Sequence, residues 1–117
     1  MKYAMLIYET SAERARGHGD TEEAKAYWGA WEAYSQAIAD AGVSYGGAGL
    51  QEPDTATTLR LNGDAERQVQ DGPYADSKEM LAGFFLIDVP DLDTALDWAS
   101  RLPAHEGSIE IRPLLDM

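Results

Sequence analysis

Two segments of this sequence are largely apolar on both alternating sets of residues, and this pattern limits what the chain can fold into. Residues 2–8 read KYAMLIY, and residues 83–89 read GFFLIDV. A β-strand places successive side chains on opposite faces of its sheet. Each of these strands therefore needs cover on both of its faces.

Two helical patterns are present to supply that cover. The first follows a polar, glycine-containing stretch at residues 9–19, which we predict to be a loop. It begins at Asp20, with Glu23 three residues later as in a capping box, and it stops at Gly42. Its apolar side, which we predict to be core, consists of Ala24, Tyr27, Trp28, Trp31, Tyr34, Ile38 and Ala41.

The second helical pattern lies near the end of the sequence. It is capped by Asp91 or Asp93, and its apolar side consists of Leu92, Ala95, Leu96, Ala99 and Leu102. Between the helices, the sequence predicts a glycine-rich strand at residues 43–50 and a hairpin at residues 57–70. Residues 107–113 alternate between apolar and charged side chains, as a half-buried strand does.

The predicted order is strand, helix, strand, inserted hairpin, strand, helix, strand, within one domain at residues 1–117. This order is typical of an α+β, ferredoxin-like sandwich, in which both helices cover the same face of the sheet. The other face is left uncovered. Leaving its apolar side chains in water would forgo about 1.5–3 kcal/mol each. We therefore expect a homodimer in which two sheets face each other.

Charge and composition exclude several classes of function. The formal net charge of −12 disfavours binding to nucleic acid or to anionic membranes, because both need a basic surface. No apolar run has the length of a membrane span, and residues 1–11 do not read as a signal peptide, so we expect a cytoplasmic protein. The absence of cysteine excludes disulfides, thiolate metal sites and thiol nucleophiles.

A polar turn precedes the second of the two apolar strands. In residues 71–79, DGPYADSKE, Asp71 can accept backbone hydrogen bonds, Gly72 admits unusual dihedral angles and Pro73 fixes φ. We therefore expect a rigid turn that places charged side chains at the rim of the space between the sheets. These side chains are Asp71, Asp76, Lys78 and Glu79.

This turn has a structural and a catalytic interpretation. In the structural one, Asp71 only makes the turn, and Lys78 with Glu79 forms a solvated or dimer-bridging pair. In the catalytic one, Asp71 is a general base, and Lys78 neutralises a carboxylate or holds an anionic group of a substrate. The sequence favours the structural interpretation, because Asp-Gly-Pro is common in ordinary turns.

Two histidines are candidate partners for Asp71. His18 lies between glycines in a predicted loop that could close over a pocket, and His105 lies between the second helix and the last strand. Either could form an acid–base dyad with Asp71, although a solvated histidine is the commoner outcome in polar loops. We expect no metal site, because His105 and Glu106 are adjacent and lack a second histidine at helical spacing.

The last strand carries charges on one of its sides. If Ile109 and Ile111 face the helices, then Glu110 and Arg112 face the interior of the predicted dimer, and Arg60 is placed similarly in the hairpin. Interior charges are costly unless they are paired. We therefore expect these residues to be paired with each other or to hold a ligand.

Several segments together resemble a known family. They are KYAMLIY at residues 2–8, AGVSYGGAGLQ at 41–51, TATTLRL at 55–61, DGPYADSKEMLAGFFLIDVPDLDTALDWA at 71–99 and GSIEIRP at 107–113. The sequence is similar to the YCII-related proteins, specifically to the DGPF-domain branch, with Tyr74 in place of the phenylalanine of that motif. The resemblance implies a dimeric α+β barrel, in which two ferredoxin-like sheets face one another.

The resemblance also implies two kinds of function. Some relatives in the wider superfamily are small enzymes that act on cyclic or aromatic metabolites, with a His and an Asp as the acid–base pair. The first helix here has no match to that histidine motif and carries Trp28 and Trp31 instead. Members of the branch are also often encoded beside alternative sigma factors, which implies a regulatory role.

Two functional hypotheses follow. The first is a cofactor-independent enzyme or binder of a small oxygenated or cyclic metabolite, with a pocket near the Asp-Gly-Pro turn. Its catalytic candidates are Asp71, His105 and His18, and its ligand-binding candidates are Tyr8, Gly72, Pro73, Tyr74, Lys78 and Arg112. The alternative is a non-catalytic accessory or regulatory module that contacts a protein, such as a sigma factor, through its acidic helical surface.

Overall fold

The computed structural model describes residues 1–116. The strands are β1 (Lys2–Thr10), β2 (Ser44–Gly49), β3 (Thr57–Arg60), β4 (Gln68–Asp71), β5 (Glu79–Asp88) and β6 (Gly107–Pro113). The helices are α1 (Ser11–Ala15), α2 (Glu22–Asp40) and α3 (Leu92–Ser100), and a single 3-10 turn covers Pro53–Thr55. Among the described residues, no helix combines the length and the apolar character needed to cross a bilayer.

Four strands form the main sheet, in the order β2-β5-β1-β6, and every neighbouring pair is antiparallel. Side chains of α2 and α3 pack with one alternating set of β1 in a single apolar core. Its buried members are Tyr3, Met5, Ile7, Tyr34, Ile38, Ile87, Val89, Ala95 and Leu102. The predicted α+β, ferredoxin-like arrangement is confirmed.

Helix α2 begins one residue later than the sequence predicts. Thr21 is the N-cap, and its hydroxyl accepts the backbone N–H of Ala24 at 3.0 Å. The capping box from Asp20 to Glu23 is therefore wrong, and Asp20 instead lies 3.6 Å from the ammonium of Lys25. The two candidate caps are adjacent and chemically similar, so local preference does not separate them. The helix ends at Asp40, just before Gly42, as predicted.

The apolar sides of both long helices are narrower than predicted. Trp28 is 58% exposed, and Leu92 and Leu96 of α3 are about half exposed. The helical side chains that are buried in the core are Ala24, Tyr27, Tyr34, Ile38 and Ala95. The Asp91 cap of α3 is confirmed, because its carboxylate accepts the backbone N–H of Thr94 at 2.8 Å.

The first part of the predicted loop at residues 9–19 is helix α1. Thr10 caps it by accepting the backbone N–H of Glu13 at 3.1 Å. The Glu13 side chain then turns inward and is 1% exposed. One of its oxygens accepts the N–H groups of His105 and Glu106, and the other accepts from Arg16 at 2.9 Å. A buried carboxylate thus ties α1 to the connection between α3 and β6.

The second face of the main sheet carries the other alternating set of β1, and we call it the open face. The pairing register places Leu81, Phe84 and Leu86 of β5 on one side of this set and Glu110 and Arg112 of β6 on the other. The β1 members themselves are Ala4, Leu6 and Tyr8, all half-buried. The guanidinium of Arg112 donates to the carboxylate of Glu110, with Nε at 3.1 Å, so the expected pairing of these charges is confirmed.

Strands β3 and β4 form a separate two-stranded hairpin, as predicted, with Leu59 opposite Val69. Both of these side chains are mostly exposed. The radius of gyration is 16.1 Å, above the roughly 13 Å expected of a compact chain of this length, in keeping with a hairpin that stands away from the sheet. The connections at the base of this hairpin form one wall of the candidate site.

Candidate functional site

A cleft of about 600 Å³ lies between one end of the open face and the Asp-Gly-Pro turn, and we call it the turn cleft. Three segments enclose it: the adjoining ends of β1 and β5, the connection from β2 into β3, and the segment that follows the turn. The side chains that line it are Tyr8, Leu50, Gln51, Glu52, Pro53, Thr55, Ala56, Thr57, Thr58, Pro73, Tyr74, Ala75, Ser77, Glu79, Met80 and Leu81.

The turn is held to the opposite wall by its backbone. Gly72 has a φ of +98°, which strongly favours glycine. Its N–H donates to the carbonyl of Ala56 at 2.7 Å, and its own carbonyl accepts from the hydroxyl of Thr58 at 2.8 Å. These two bonds join Gly72 to Ala56 in the β2–β3 connection and to Thr58 in β3, so the residues that follow, beginning with Pro73, start from a fixed point.

Asp71 does not make the turn in the predicted way. It is the exposed last residue of β4, and among residues 1–116 its side chain forms no hydrogen bond. The expectation that Asp71 accepts backbone hydrogen bonds in the turn is therefore wrong. The turn depends instead on the pairing of Gly72 with Ala56 and Thr58, which the hairpin brings opposite it.

At the outer rim of the turn cleft, the ring of Tyr74 is stacked with the guanidinium of Arg60. Tyr74 is mostly exposed, and the guanidinium carbon of Arg60 lies 5.2 Å from the centre of its ring. Arg60 is itself fixed, because its Nε donates to the side-chain oxygen of Gln70 at 3.0 Å. Stacking of this kind favours one orientation of the tyrosine ring.

Glu79 is the carboxylate at the sheet end of the turn cleft. The register places it opposite Thr10, on the same face as Tyr8 and Leu81. It is half-buried, and within the described residues its carboxylate has neither a hydrogen-bond donor nor an ion-pair partner. The hydroxyl of Ser77 donates to the backbone carbonyl of Glu79 and so fixes the start of β5.

Glu52, the second carboxylate of the turn cleft, is by contrast well partnered. One of its oxygens lies 2.6 Å from Nε2 of His18, and the other lies 3.6 Å from Nε of Arg14. The loop that carries His18 is thereby joined to the β2–β3 connection. Glu52 and its two partners form a polar bridge between α1 and the wall of the turn cleft.

A second cleft of about 350 Å³, which we call the side cleft, shares residues 50–53 with the first. Its remaining wall includes Glu9, Arg14 and Trp28. Burial raises the pKa of the Glu9 carboxyl, and the nearby Arg14 guanidinium offsets this only in part. The hydroxyl of Tyr27 lies 3.5 Å from Glu9, and burial raises the pKa of Tyr27 to about 12.

The structure brings only part of the predicted site together. Tyr8, Pro73 and Tyr74 line the turn cleft, and Gly72 begins its turn. The remaining candidates, which do not line it, are Asp71, Lys78, His18, His105 and Arg112. Among residues 1–116, neither histidine is paired with Asp71.

Each of the remaining candidates is engaged elsewhere or exposed. His18 is paired with Glu52, and Arg112 is paired with Glu110 on the open face. His105 donates its backbone N–H to Glu13, while Lys78 is exposed. Among the described residues, no group of three or more His, Asp or Glu side chains is placed to hold a metal ion.

Sequence reasoning missed the residues of the β2–β3 connection, and it placed Glu79 at the rim only as a member of a charged set with Asp71, Asp76 and Lys78. The connection contributes Gln51, Glu52 and Thr55 to the turn cleft, and nothing in its local pattern distinguishes it from an ordinary loop. A signal did exist for Glu79. It directly precedes the apolar run of β5, so its side chain had to lie at the edge of whichever face it shares with Leu81.

The antiparallel four-stranded sheet, the helices on one of its faces and the cleft at its end define a small α+β protein of ferredoxin-like architecture. The chain belongs to the family of the YCII-related domain, whose model matches residues 1–117. It is also similar to an uncharacterized protein of Rhizobium meliloti (strain 1021), with 38% identity over 117 residues that cover 97% of this chain and 92% of that relative. The predicted resemblance to the YCII-related proteins is confirmed.

Proposed function

We propose that this protein binds a small oxygenated or cyclic metabolite in the turn cleft and promotes a proton transfer on it without an organic cofactor. The observation that carries the proposal is the cleft itself. Its volume of about 600 Å³ lies within the range of small-molecule sites. Like such sites, it combines apolar walls, among them Leu50, Leu81 and Met80, with a few polar groups.

Glu79 and Tyr8 are the groups suited to the proton transfer. Glu79 is half-buried with a free carboxylate, so it can accept a proton from a bound ligand. Tyr8 lies on the same face at the end of β1, and its hydroxyl can donate a hydrogen bond to the oxygen that gains negative charge. The proposal thus assigns to Glu79 the role of base that the sequence suggested for Asp71.

We propose further that the working form is a homodimer in which a second copy covers the open face. Leu6, Phe84 and Leu86 are half-buried there, and burial of their remaining surface would contribute about half of the roughly 1.5–3 kcal/mol that a fully exposed side chain gives. Tyr8 and Leu81 belong both to the open face and to the turn cleft. A second copy on this face would therefore also close one side of the cleft and exclude water from it.

Native mass spectrometry of the protein as purified tests both parts of the proposal. We expect a dimer that carries a small-molecule adduct, and we expect Glu79→Gln to lose the turnover of that molecule while the dimer persists. Glu32→Gln, at an exposed position on α2, is the matched control and should behave as wild type. A dimer that never carries or binds a small molecule would favour the accessory-module function, and a monomer would contradict the second proposal.

Tyr8→Phe separates the two assigned roles. It removes only the hydroxyl, so the cleft keeps its shape and ligand binding should be nearly unchanged while turnover falls by roughly 10²-fold, as when one oxyanion donor is lost. Tyr45→Phe is the control, because Tyr45 is half exposed on β2 and does not line the cleft. Equal turnover in Tyr8→Phe and wild type would remove Tyr8 from the mechanism.

A further inference from the structure

We infer that the turn cleft selects for a ligand with an amine or another cationic group and against a carboxylate or phosphate. This inference rests on the proposed binding function and adds the chemical class of the ligand. It starts from the charged side chains that line the cleft, Glu52 and Glu79. Among the described residues, no lysine, arginine or histidine side chain contributes to that lining.

Three of the nearby cations already have partners within the protein. Arg14 and His18 both contact the carboxylate of Glu52, which lies 2.6 Å from the imidazole. Arg60 stacks on Tyr74 and donates to Gln70, and it does not line the cleft. Lys78, which lies between Ser77 and Glu79, is exposed and does not line the cleft. Among the described residues, no basic side chain therefore lines the turn cleft to receive an anion.

Glu79 is the group that distinguishes a cationic ligand from an anionic one. Glu52 is largely satisfied by its partners, whereas Glu79 is half-buried and has no partner in the described chain. An anionic ligand would place a second negative charge beside it in a partly desolvated site, which is unfavourable. An ammonium group would instead make a charge-assisted hydrogen bond.

An aromatic ring reinforces the same preference. Tyr8 lines the sheet end of the cleft, whereas the ring of Tyr74 at the rim is already stacked with the guanidinium of Arg60. The faces of aromatic rings attract cations. The formal net charge of −12 adds a long-range field of the same sign, which increases the local concentration of cations. Together these features fit a small molecule with an apolar or cyclic body and a basic nitrogen.

Three probes with the same phenylethyl body test this inference: 2-phenylethylamine, 2-phenylethanol and 3-phenylpropanoate, which at pH 7 are cationic, neutral and anionic. Binding to the full chain is measured by titration calorimetry up to millimolar concentrations. We expect the amine to bind about tenfold more tightly than the alcohol, the effect of one charge-assisted hydrogen bond, and the carboxylate to bind more weakly than either.

Variants of Glu79 show which group makes the selection. Glu79→Gln should bind the amine no more tightly than the alcohol while leaving the affinity for the alcohol unchanged, and Glu79→Lys should reverse the order of amine and carboxylate. Glu32→Gln, at an exposed position on α2, should keep the wild-type order.

The possible failures are distinct. A carboxylate that binds wild type as tightly as the amine does would overturn the charge selection and leave the binding function intact. A preference for the amine that survives in Glu79→Gln would overturn the assignment to this residue. If none of the three probes binds to wild type at millimolar concentration, the proposed binding function itself is wrong, and this inference fails with it.

Discussion

The carboxylate of Glu13 accepts the backbone N–H of His105 at 2.9 Å, although the two residues are 92 positions apart in the sequence. The same oxygen accepts the N–H of Glu106 at 3.1 Å, and the other oxygen accepts from Arg16. These three donors replace the water molecules that the carboxylate loses when it is buried on folding. This contact fixes α1 against the connection that leads into β6.

Replacement of Glu13 by alanine should destabilise the fold. The variant leaves two backbone N–H groups without their acceptor and Arg16 without its partner, which typically costs about 2–4 kcal/mol. Urea denaturation of wild type and Glu13→Ala measures the difference. Glu32→Ala is the control at an exposed helical position, and its change should stay within about 0.5 kcal/mol. If Glu13→Ala lowers the free energy of unfolding no more than this control does, the stabilising role of Glu13 is contradicted.

The same contact predicts how stability depends on pH. Burial alone would raise the pKa of Glu13, but the N–H groups of His105 and Glu106 and the charge of Arg16 outweigh it, so the pKa is lowered. A carboxyl with a lowered pKa in the folded state contributes stability that is present above its unfolded pKa of about 4.3 and is lost as the pH falls below it. Glu13→Gln should therefore flatten the acid limb of a stability curve measured from pH 7 down to pH 3.

Glu9 should have the opposite effect on stability, which it should lower as the pH rises. Its pKa is raised by burial, so folding favours the protonated carboxyl, and stability is lost as the pH rises through about 4.3 and above. The stability of Glu9→Gln relative to wild type should therefore increase between pH 4 and pH 7. A relative stability of Glu9→Gln that is constant over this range would contradict the raised pKa.

The fold was largely predictable because its determinants are local and periodic. Two-sided apolar strands, the apolar sides of two helices and a glycine stop are patterns that neighbouring residues reveal. The errors arose where local rules gave near-equal answers. Asp20 and Thr21 are both good caps, and Trp28 adjoins the apolar side of α2 yet donates its indole N–H to the carbonyl of Gly17 at the surface.

The site was less predictable because long-range contacts assemble it. The turn was recognised from Asp71 to Pro73, but the acceptor that holds it is the carbonyl of Ala56. The pairing of His18 with Glu52 likewise joins two loops that sequence reasoning treated as unrelated. Residues that face a cleft between distant segments leave no periodic trace in either segment.

Gly107 should be intolerant of substitution, whereas Gly29 should not. Gly107 has a φ of +129°, and a Cβ there would overlap the carbonyl oxygen of Tyr8 on the neighbouring strand. We expect Gly107→Ala to cost more than about 1 kcal/mol, because both the dihedral angle and the contact are unfavourable. Gly29 lies within α2 with open space at its Cβ, so Gly29→Ala should gain about 0.5–1 kcal/mol. Thermal unfolding of the two variants compares these outcomes directly.

A charge placed on the open face should separate the proposed dimer. Phe84 lies between Leu6 and Ala48 in the sheet register, at the middle of that face. Phe84→Glu would bury an unpaired carboxylate in the interface, which is strongly unfavourable. Light scattering after gel filtration should report twice the 12.8 kDa chain mass for wild type and a single chain for the variant. Leu92→Glu, at an exposed position on α3, should leave the mass at the wild-type value.

The hydrogen bond from Thr58 to Gly72 should determine how often the Asp-Gly-Pro turn opens. Thr58→Val keeps the size of the side chain and removes the hydroxyl that donates to the Gly72 carbonyl, which should cost about 1 kcal/mol. The N–H of Gly72 still pairs with Ala56, so the turn opens more often but does not unfold. Hydrogen exchange at the Gly72 amide should therefore accelerate by roughly fivefold. Thr57→Val, whose hydroxyl makes no hydrogen bond among the described residues, should leave that exchange rate unchanged. Equal exchange in both variants would mean that the Ala56 bond alone fixes the turn.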